Sequence, residues 1–272
     1  MATPATVAAE PTPKDWAGAY SFCSMQSRFP VLVADSALAK NAKDAVIAFL
    51  RKECNCTTEA AIYEAVIEYA GYWNNLRRAV EYYRAFGAVV RERLPFIKKS
   101  ACLKKLAESK TYDLVMAAVQ TTLDGIKYHV SNAITSSGSY DMINISMSNL
   151  GDGSEEPSIK TLFSVGHELG HCFDKATCML LDSDKNKNDR HKMYMSIRAA
   201  IMPTVQDTNA RHEENYFADS FAAIFLNCGL GYDKSKIVSA ATELFGSDEE
   251  GEEHPRGDSR MVEIRNTLTH KC

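Results

Sequence analysis

The spacing of apolar side chains divides the chain into two regions. From residue 36 to residue 133, apolar residues such as Ile62 and Val66 recur every three or four positions, the period of helices with one buried face. Residues 1–14 lack this period and are rich in alanine and proline, so they predict a flexible tail. The pattern therefore predicts a helical N-terminal region over residues 15–133.

The period changes in the second region, residues 134–272. Residues 143–147 alternate apolar and polar side chains, which is typical of a half-buried strand. Helical spacing then returns in three segments, at about 159–171, 193–202 and 211–228. The acidic run 248–253 predicts a solvated loop. Together the two regions predict an α+β fold that is mostly helical.

Composition and charge exclude several classes of protein. Hydrophobic residues make up 45% of the 272 positions and charged residues 24%, as in ordinary soluble globular proteins. The formal net charge of −4 provides no broad basic surface, so nucleic acid is not expected as a partner. No run approaches the roughly 18 apolar residues of a membrane-spanning helix, so no membrane span is expected.

The cysteines bear on the cellular compartment. The chain has 8, an even number, and they stand at positions 23, 54, 56, 102, 172, 178, 228 and 272. Disulfides are common in exported proteins and rare in the reducing cytosol. The count therefore favours a secreted or periplasmic protein with disulfides, and a cytoplasmic protein with buried thiols stays open.

The segment 167–171 reads His-Glu-Leu-Gly-His and carries the clearest chemical signal. On a helix, His167 and His171 lie one turn apart, about 40° around the axis, so both imidazoles can reach one ion. Two neutral imidazoles suit Zn²⁺, and Glu168 on the same turn can take a proton from water without being a ligand. The segment therefore predicts a zinc site in which Glu168 is the general base.

A catalytic zinc site needs a third protein ligand, and the sequence leaves several open. Glu214 shares a helical stripe with Phe217 and Phe221, which places it on the buried side, where an unpaired carboxylate would be costly. Glu214 is therefore the first choice. Asp219 is the alternative, either as a ligand or as the carboxylate that orients a metal-bound histidine. Two more carboxylates stay open: Glu213 and Asp174.

These segments resemble the gluzincin-type zincin metallopeptidases, which include neprilysin-like and lethal-factor-like enzymes. Residues 213–222 are similar to the ligand helix of that family, in which a Glu ligand precedes an acidic residue by four positions. This chain departs from the family pattern, because Asn215 stands four positions before Asp219 and Glu214 stands five before it.

The resemblance also implies a fold and an activity. It implies a zincin-like catalytic region at 134–272 with a short antiparallel sheet, whose edge strand aligns an extended peptide. Residues 143–147 lie where that strand is expected. The implied activity is a zinc-dependent endopeptidase that acts on a peptide or protein substrate.

A third segment, which begins at His254-Pro255, is similar to the family's His-Pro segment with a downstream arginine, here Arg260. The resemblance implies that His254 donates a hydrogen bond to the oxyanion of the reaction and that Arg260 binds or orients the substrate backbone. Because Asn215 breaks the ligand pattern, a catalytically inactive, metal-stapled binding protein of zincin fold stays open as the alternative function.

Overall fold

The computed structural model describes residues 9–24, 42–84, 124–131, 136–139, 141–150, 156–182, 209–252 and 254–270, with a few single positions between 121 and 202. The elements within these ranges are α1 (Pro13–Cys23), α2 (Ala42–Glu53), α3 (Glu59–Arg84), β1 (Lys127–Ser131), β2 (Ser137–Gly138), β3 (Met142–Ser146), α4 (Ile159–Asp182), α5 (Ala210–Ile224), α6 (Lys234–Phe245) and α7 (Gly257–His270). A mostly helical α+β fold is thus confirmed. None of the described helices has the length and apolar character needed to cross a bilayer.

Helix α1 begins earlier than the predicted tail allows. The Thr12 hydroxyl accepts a hydrogen bond from the Asp15 backbone N–H at 3.3 Å, and the Asp15 carboxylate accepts one from the Thr12 N–H at 2.8 Å. This reciprocal cap, with Pro13 in the first turn, is a strong start signal for a helix. The prediction of a flexible tail is therefore wrong for residues 12–14, and residues 1–8 lie outside the described part.

The sheet is mixed, not antiparallel as the resemblance implies. Its strand order is β1-β3-β2, with β1 parallel to β3 and β2 antiparallel to β3. The prediction of a strand at 143–147 is confirmed by β3, but its placement at the edge is wrong. β3 has a neighbouring strand on each side, and its residues Ile143 and Ile145 are fully buried. The antiparallel edge strand is β2.

Strand β1 corrects the predicted boundary between the regions. Residues 127–131 were expected to be helical, yet they pair with β3, with Val130 opposite Ile145. The alternation of Tyr128 and Val130 is too short to stand out from the helical pattern around it. The sheet therefore joins residues on both sides of position 133. The predicted helical segment 193–202 lies mostly outside the described residues.

The N-terminal helices and the second region share one hydrophobic core. Tyr83, near the end of α3, donates a hydrogen bond to the Leu162 carbonyl of α4 at 2.7 Å. Its ring packs on Phe225 with the centroids 4.1 Å apart. A Cβ on Gly166 would overlap the Tyr83 hydroxyl, so only glycine fits there. Helix α3 of the N-terminal region thus packs against α4 and supports it.

Helices α4 and α5 approach each other closely at Gly170. A Cβ on Gly170 would lie 2.7 Å from the Cα of Ala218, closer than real Cβ atoms come to a backbone. Two small residues therefore let the helix backbones touch. The contact also brings the side chains of residues 167 and 219, which flank it, within hydrogen-bonding distance of each other.

Several of the described cysteines are thiols: Cys23, Cys54, Cys56 and Cys172. Burial, followed by the nearby Cys54, raises the pKa of Cys23 to about 12, so this thiol stays protonated at neutral pH. Cys102 and Cys272 lie outside the described residues. Disulfide bonding and export to the periplasm or beyond stay predictions.

The contact at Gly170 predicts the effect of a single methyl group. Gly170→Ala should lower the free energy of unfolding by about 1–3 kcal/mol, because the helices must separate or strain to admit the Cβ. Urea unfolding followed by circular dichroism measures the change. Gly251→Ala is the matched control, because nothing lies within 4 Å of the added Cβ. Equal stability of the two variants would contradict the close approach of α4 and α5.

Candidate metal centre

The two imidazoles on α4 converge as the sequence predicts. The Nε2 atoms of His167 and His171 lie 3.2 Å apart, and the two rings are nearly perpendicular. Two nitrogen ligands at ordinary zinc distances and a tetrahedral angle lie about 3.4 Å apart. Burial, followed by the neighbouring His167, lowers the pKa of His171 to about 2, so its ring is neutral. Both nitrogens are therefore directed to one point.

Asp219 fixes the orientation of His167. Its Oδ1 lies 2.8 Å from Nδ1 of His167, and its carboxylate is fully buried. When Nδ1–H donates to a carboxylate, Nε2 keeps its lone pair and the ring becomes a better metal ligand. Asp219 thus has the geometry of the orienting carboxylate, one of the two roles that the sequence leaves open for it.

Arg260 binds Asp219 with two parallel hydrogen bonds. Nε donates to Oδ2 and Nη2 to Oδ1, each at 2.8 Å, and Arg260 is only 1% exposed. Its guanidinium lies 3.4 Å over the Phe245 ring, and Nη1 donates to Asp248 at 3.3 Å. The sequence predicts that Arg260 contacts substrate. In the structure its guanidinium binds carboxylates of the protein itself, so the geometry favours a role in positioning Asp219 and, through it, His167.

The ion pair outweighs the cost of burying Asp219. Burial alone raises the pKa of the carboxyl, but the charge of Arg260, followed by that of His167, lowers it to about 2. Asp219 is therefore ionised at neutral pH. A buried carboxylate of this kind needs its cation, since removing one partner of such a pair leaves an uncompensated charge.

Glu168 lies beside the imidazoles with its carboxylate directed into a cavity. It is only 5% exposed, and no hydrogen bond to its carboxylate is formed within the described part of the chain. Burial raises its pKa, and the charges of His167 and Arg260 act in the opposite direction. A Cβ on Gly138 of β2 would lie 3.2 Å from Oε2 of Glu168, so glycine lets the edge strand pass over it.

The cavity has a volume of about 370 Å³, and most of the predicted site residues line it. Its lining residues come from segments next to strands β2 and β3, from α4, from the end of α6, from the segment that joins α6 to α7 and from α7: Ser136, Asn149, Ser164, His167, Glu168, Leu244, Phe245, Asp248, Glu249, His254 and Arg260. Nδ1 of His254 lies 3.2 Å from the amide oxygen of Asn215, which can accept its N–H. The cavity therefore brings His254 and Glu168 together.

The structure does not bring a third acidic ligand to the imidazoles. Within the described residues, no set of three His, Cys, Asp or Glu side chains could hold a metal ion. Glu214 is partly exposed and lies about 140° around α5 from Asp219, whereas Asn215 lies about 40° from it. The side of α5 that meets His167 thus presents an amide in place of the predicted Glu214.

The two remaining carboxylates bind an arginine instead. Asp174 accepts a hydrogen bond from Nε of Arg198 at 3.1 Å, and Glu213 accepts one from Nη1 of the same residue at 3.4 Å. Neither residue joins the two histidines in a metal-binding group of the described chain.

Sequence reasoning missed the pairing of Asp219 with Arg260 and the contribution of Asp248. A signal for the pair is present, because Arg260 shares a helix face with Ile264 and Leu268, both buried. Arginine is almost never fully buried without a partner, so an arginine on an apolar face indicates a buried carboxylate elsewhere. No comparable signal separates Asp248 from the other acidic residues of its loop.

Comparisons of the chain with models of known protein families, with curated proteins and with solved structures gave no match. The resemblance to gluzincins therefore rests on the sequence motifs.

The depressed pKa of Asp219 predicts a loss of stability in acid. Because the folded pKa is about 2 and the ordinary value is 3.8, the pair stabilises the fold above pH 4 and this contribution disappears as the pH falls through 2. It amounts to about 2 kcal/mol. Urea unfolding of the metal-free protein between pH 5 and pH 2 measures it.

Asp219→Asn should lower stability at pH 5 and show a shallower loss between pH 4 and pH 2 than the unmodified chain. Asp258→Asn removes an exposed carboxylate that binds the exposed Arg256, so it is the matched control and should keep the original profile. Parallel pH profiles for the Asp219 variant and the unmodified chain would contradict a salt-bridged, ionised Asp219.

Proposed function

We propose that the protein is a zinc-dependent endopeptidase in which His167 and His171 bind the metal and Glu168 is the general base. The observation that carries this proposal is the Glu168 carboxylate. It is 5% exposed, lies on the same helical turn as two converging imidazoles, and faces a cavity with no hydrogen-bond partner from the described chain. A carboxylate so placed is available to a molecule bound in the cavity.

The donor set fits zinc in its chemistry. Two imidazole nitrogens 3.2 Å apart are ligands that Zn²⁺ favours, and a buried carboxylate behind His167 supports one of them. Zinc in such a site acts as a Lewis acid and makes water more acidic at neutral pH. Asn215 offers a neutral oxygen on the side of α5 that holds Asp219.

The proposed roles of the other residues follow from their contacts. Glu168 takes a proton from the attacking water at its carboxylate and returns it to the leaving amine. His254 lines the same cavity, and its ring can donate a hydrogen bond to the developing oxyanion. Asp219 and Arg260 act through His167, because they fix which of its nitrogens carries the proton.

The edge strand supplies a place for the peptide backbone. β2 pairs with β3 on one side, and no described strand pairs with its other side. Gly138 of β2 lies directly over Glu168. An extended peptide added to this edge by backbone hydrogen bonds would pass close to the proposed base. The substrate class that fits is therefore a peptide in extended conformation.

Replacing the base tests the proposal. Glu168→Gln keeps the size of the side chain but cannot accept the proton, so peptide cleavage should fall by at least about 100-fold. Zinc content should stay at one ion per chain, because Glu168 is not a ligand. Cleavage of casein measures activity, and elemental analysis measures zinc. His270→Ala, at the exposed end of α7, is the control and should keep both.

Retained turnover in Glu168→Gln would contradict the assignment of the base. Zinc that is absent from the unmodified chain, or cleavage that resists chelators, would contradict the metal assignment.

A second candidate function is a catalytically inactive binding protein in which the metal only fastens α4. One observation favours it, because Asn215 puts a neutral amide on the side of α5 where a carboxylate would bind the ion more firmly. A site of two imidazoles and an amide leaves the ion's charge largely unneutralised and should release it more readily. The two functions therefore differ in zinc affinity as well as in turnover.

Restoring a carboxylate tests this difference. Asn215→Glu should tighten zinc binding, measured by competition with a chelator of known affinity, because the ligand set gains a negative charge. Asn215→Gln is the matched control, since it has the same size without the charge and should not tighten binding. An affinity that is the same for the Glu and Gln variants would place Asn215 outside reach of the metal.

A further inference from the structure

We propose that the cavity beside Glu168 binds a lysine or arginine side chain of the substrate, next to the bond that is cleaved. This inference rests on the proposed peptidase function and adds its substrate class. It starts from the charges that line the cavity. Three carboxylates, those of Glu168, Asp248 and Glu249, line it against a single guanidinium, that of Arg260.

The guanidinium of Arg260, in the described part of the lining, is already neutralised. Arg260 makes both of its 2.8 Å hydrogen bonds to Asp219, which lies behind the cavity wall and is fully buried. Its remaining contact, to Asp248, is longer at 3.3 Å. Because Asp219 offsets the charge of Arg260, the three carboxylates of the lining carry one charge more than a zinc ion bound by the imidazoles would supply, and the cavity presents a net negative charge to a ligand. A carboxylate ligand would be repelled, and an ammonium or guanidinium group would be attracted.

The acidic carboxylates are held in place by the loop that carries them. Gly257 N–H donates to the Asp248 carbonyl at 3.0 Å, and Gly251 N–H donates to the His254 carbonyl at 3.0 Å. The ring of His212, on α5, lies 2.8 Å from the Gly251 carbonyl. The backbone of the loop is thus tied to α7 at Asp248 and to α5 at Gly251, so the loop has a defined position at the rim of the cavity.

Glu249 and Glu168 are the groups that lack an internal counter-ion. Glu249 is exposed, and no described residue forms an ion pair or hydrogen bond with its carboxylate. Glu168 is buried and unpartnered in the same cavity. Leu244 and Phe245 add apolar surface beside these carboxylates, which suits the aliphatic stem of a lysine or arginine. Charge and shape therefore fit the same kind of side chain.

A matched set of peptides tests the inference. Three fluorescent peptides differ at one central position, which is Lys, Gln or Glu. Their binding to the full chain without zinc is measured by fluorescence polarisation, and their cleavage by the zinc-loaded chain is measured in parallel. We expect the Lys peptide to bind about tenfold more tightly than the Gln peptide, and the Glu peptide to bind least tightly.

The loop itself offers a control variant. Glu249→Gln should reduce the preference for Lys over Gln about fivefold, because it removes a carboxylate from the cavity lining. Glu250→Gln removes the same charge one residue further along, outside the lining, and should change the preference less than about twofold. Absence of a Lys preference, or equal effects of the two substitutions, would overturn the inference.

The two proposals fail in different ways. Cleavage of all three peptides at equal rates would overturn the basic specificity and support the peptidase. Preferential binding of the Lys peptide without cleavage by the unmodified chain would overturn the peptidase. It would support a cavity that recognises basic side chains in a binding protein.

Discussion

The site depends on the buried ion pair between Asp219 and Arg260. Three helices meet at this pair, because α4 supplies His167, α5 supplies Asp219 and α7 supplies Arg260. Neither charge can leave its partner without becoming an isolated ion in the interior, so the helices must keep one relative arrangement. The same contact holds the proton of His167 on Nδ1 and directs Nε2 towards His171. Apolar packing brings the helices together, and the charges set their orientation.

The features that the sequence predicts correctly are local. The convergence of His167 and His171 follows from helical spacing alone, because residues four apart lie on one face whatever surrounds the helix. Strand β3 is predicted because Ile143 and Ile145 alternate with polar residues over a run long enough to show the period. Neither prediction needs a contact between distant parts of the chain.

The features that the sequence does not predict depend on distant contacts. Asp219 and Arg260 are 41 positions apart, and the strand order depends on pairing between residues 127–131 and 142–146. The sequence predicts Glu214 as the third zinc ligand because an apolar stripe runs beside it. From Asn215 to Ile224, however, α5 is buried on all sides. On such a helix, an apolar stripe does not show which side faces the histidines. The close contact of Gly170 with Ala218 determines that side, and the periodicity of the sequence does not reveal this contact.

The distribution of carboxylates separates the two candidate functions. On the side of α5 that faces His167, Asp219 already forms an ion pair with Arg260, and Asn215 is neutral. The acids that form no ion pair within the described chain, Glu168 and Glu249, line the cavity. An ion held by neutral ligands keeps more of its charge, which strengthens its action as a Lewis acid but weakens its retention. A peptidase must keep the ion through each turnover, whereas in the binding protein the ion only fastens α4. The affinity for zinc is therefore the quantity on which the proposed catalysis depends.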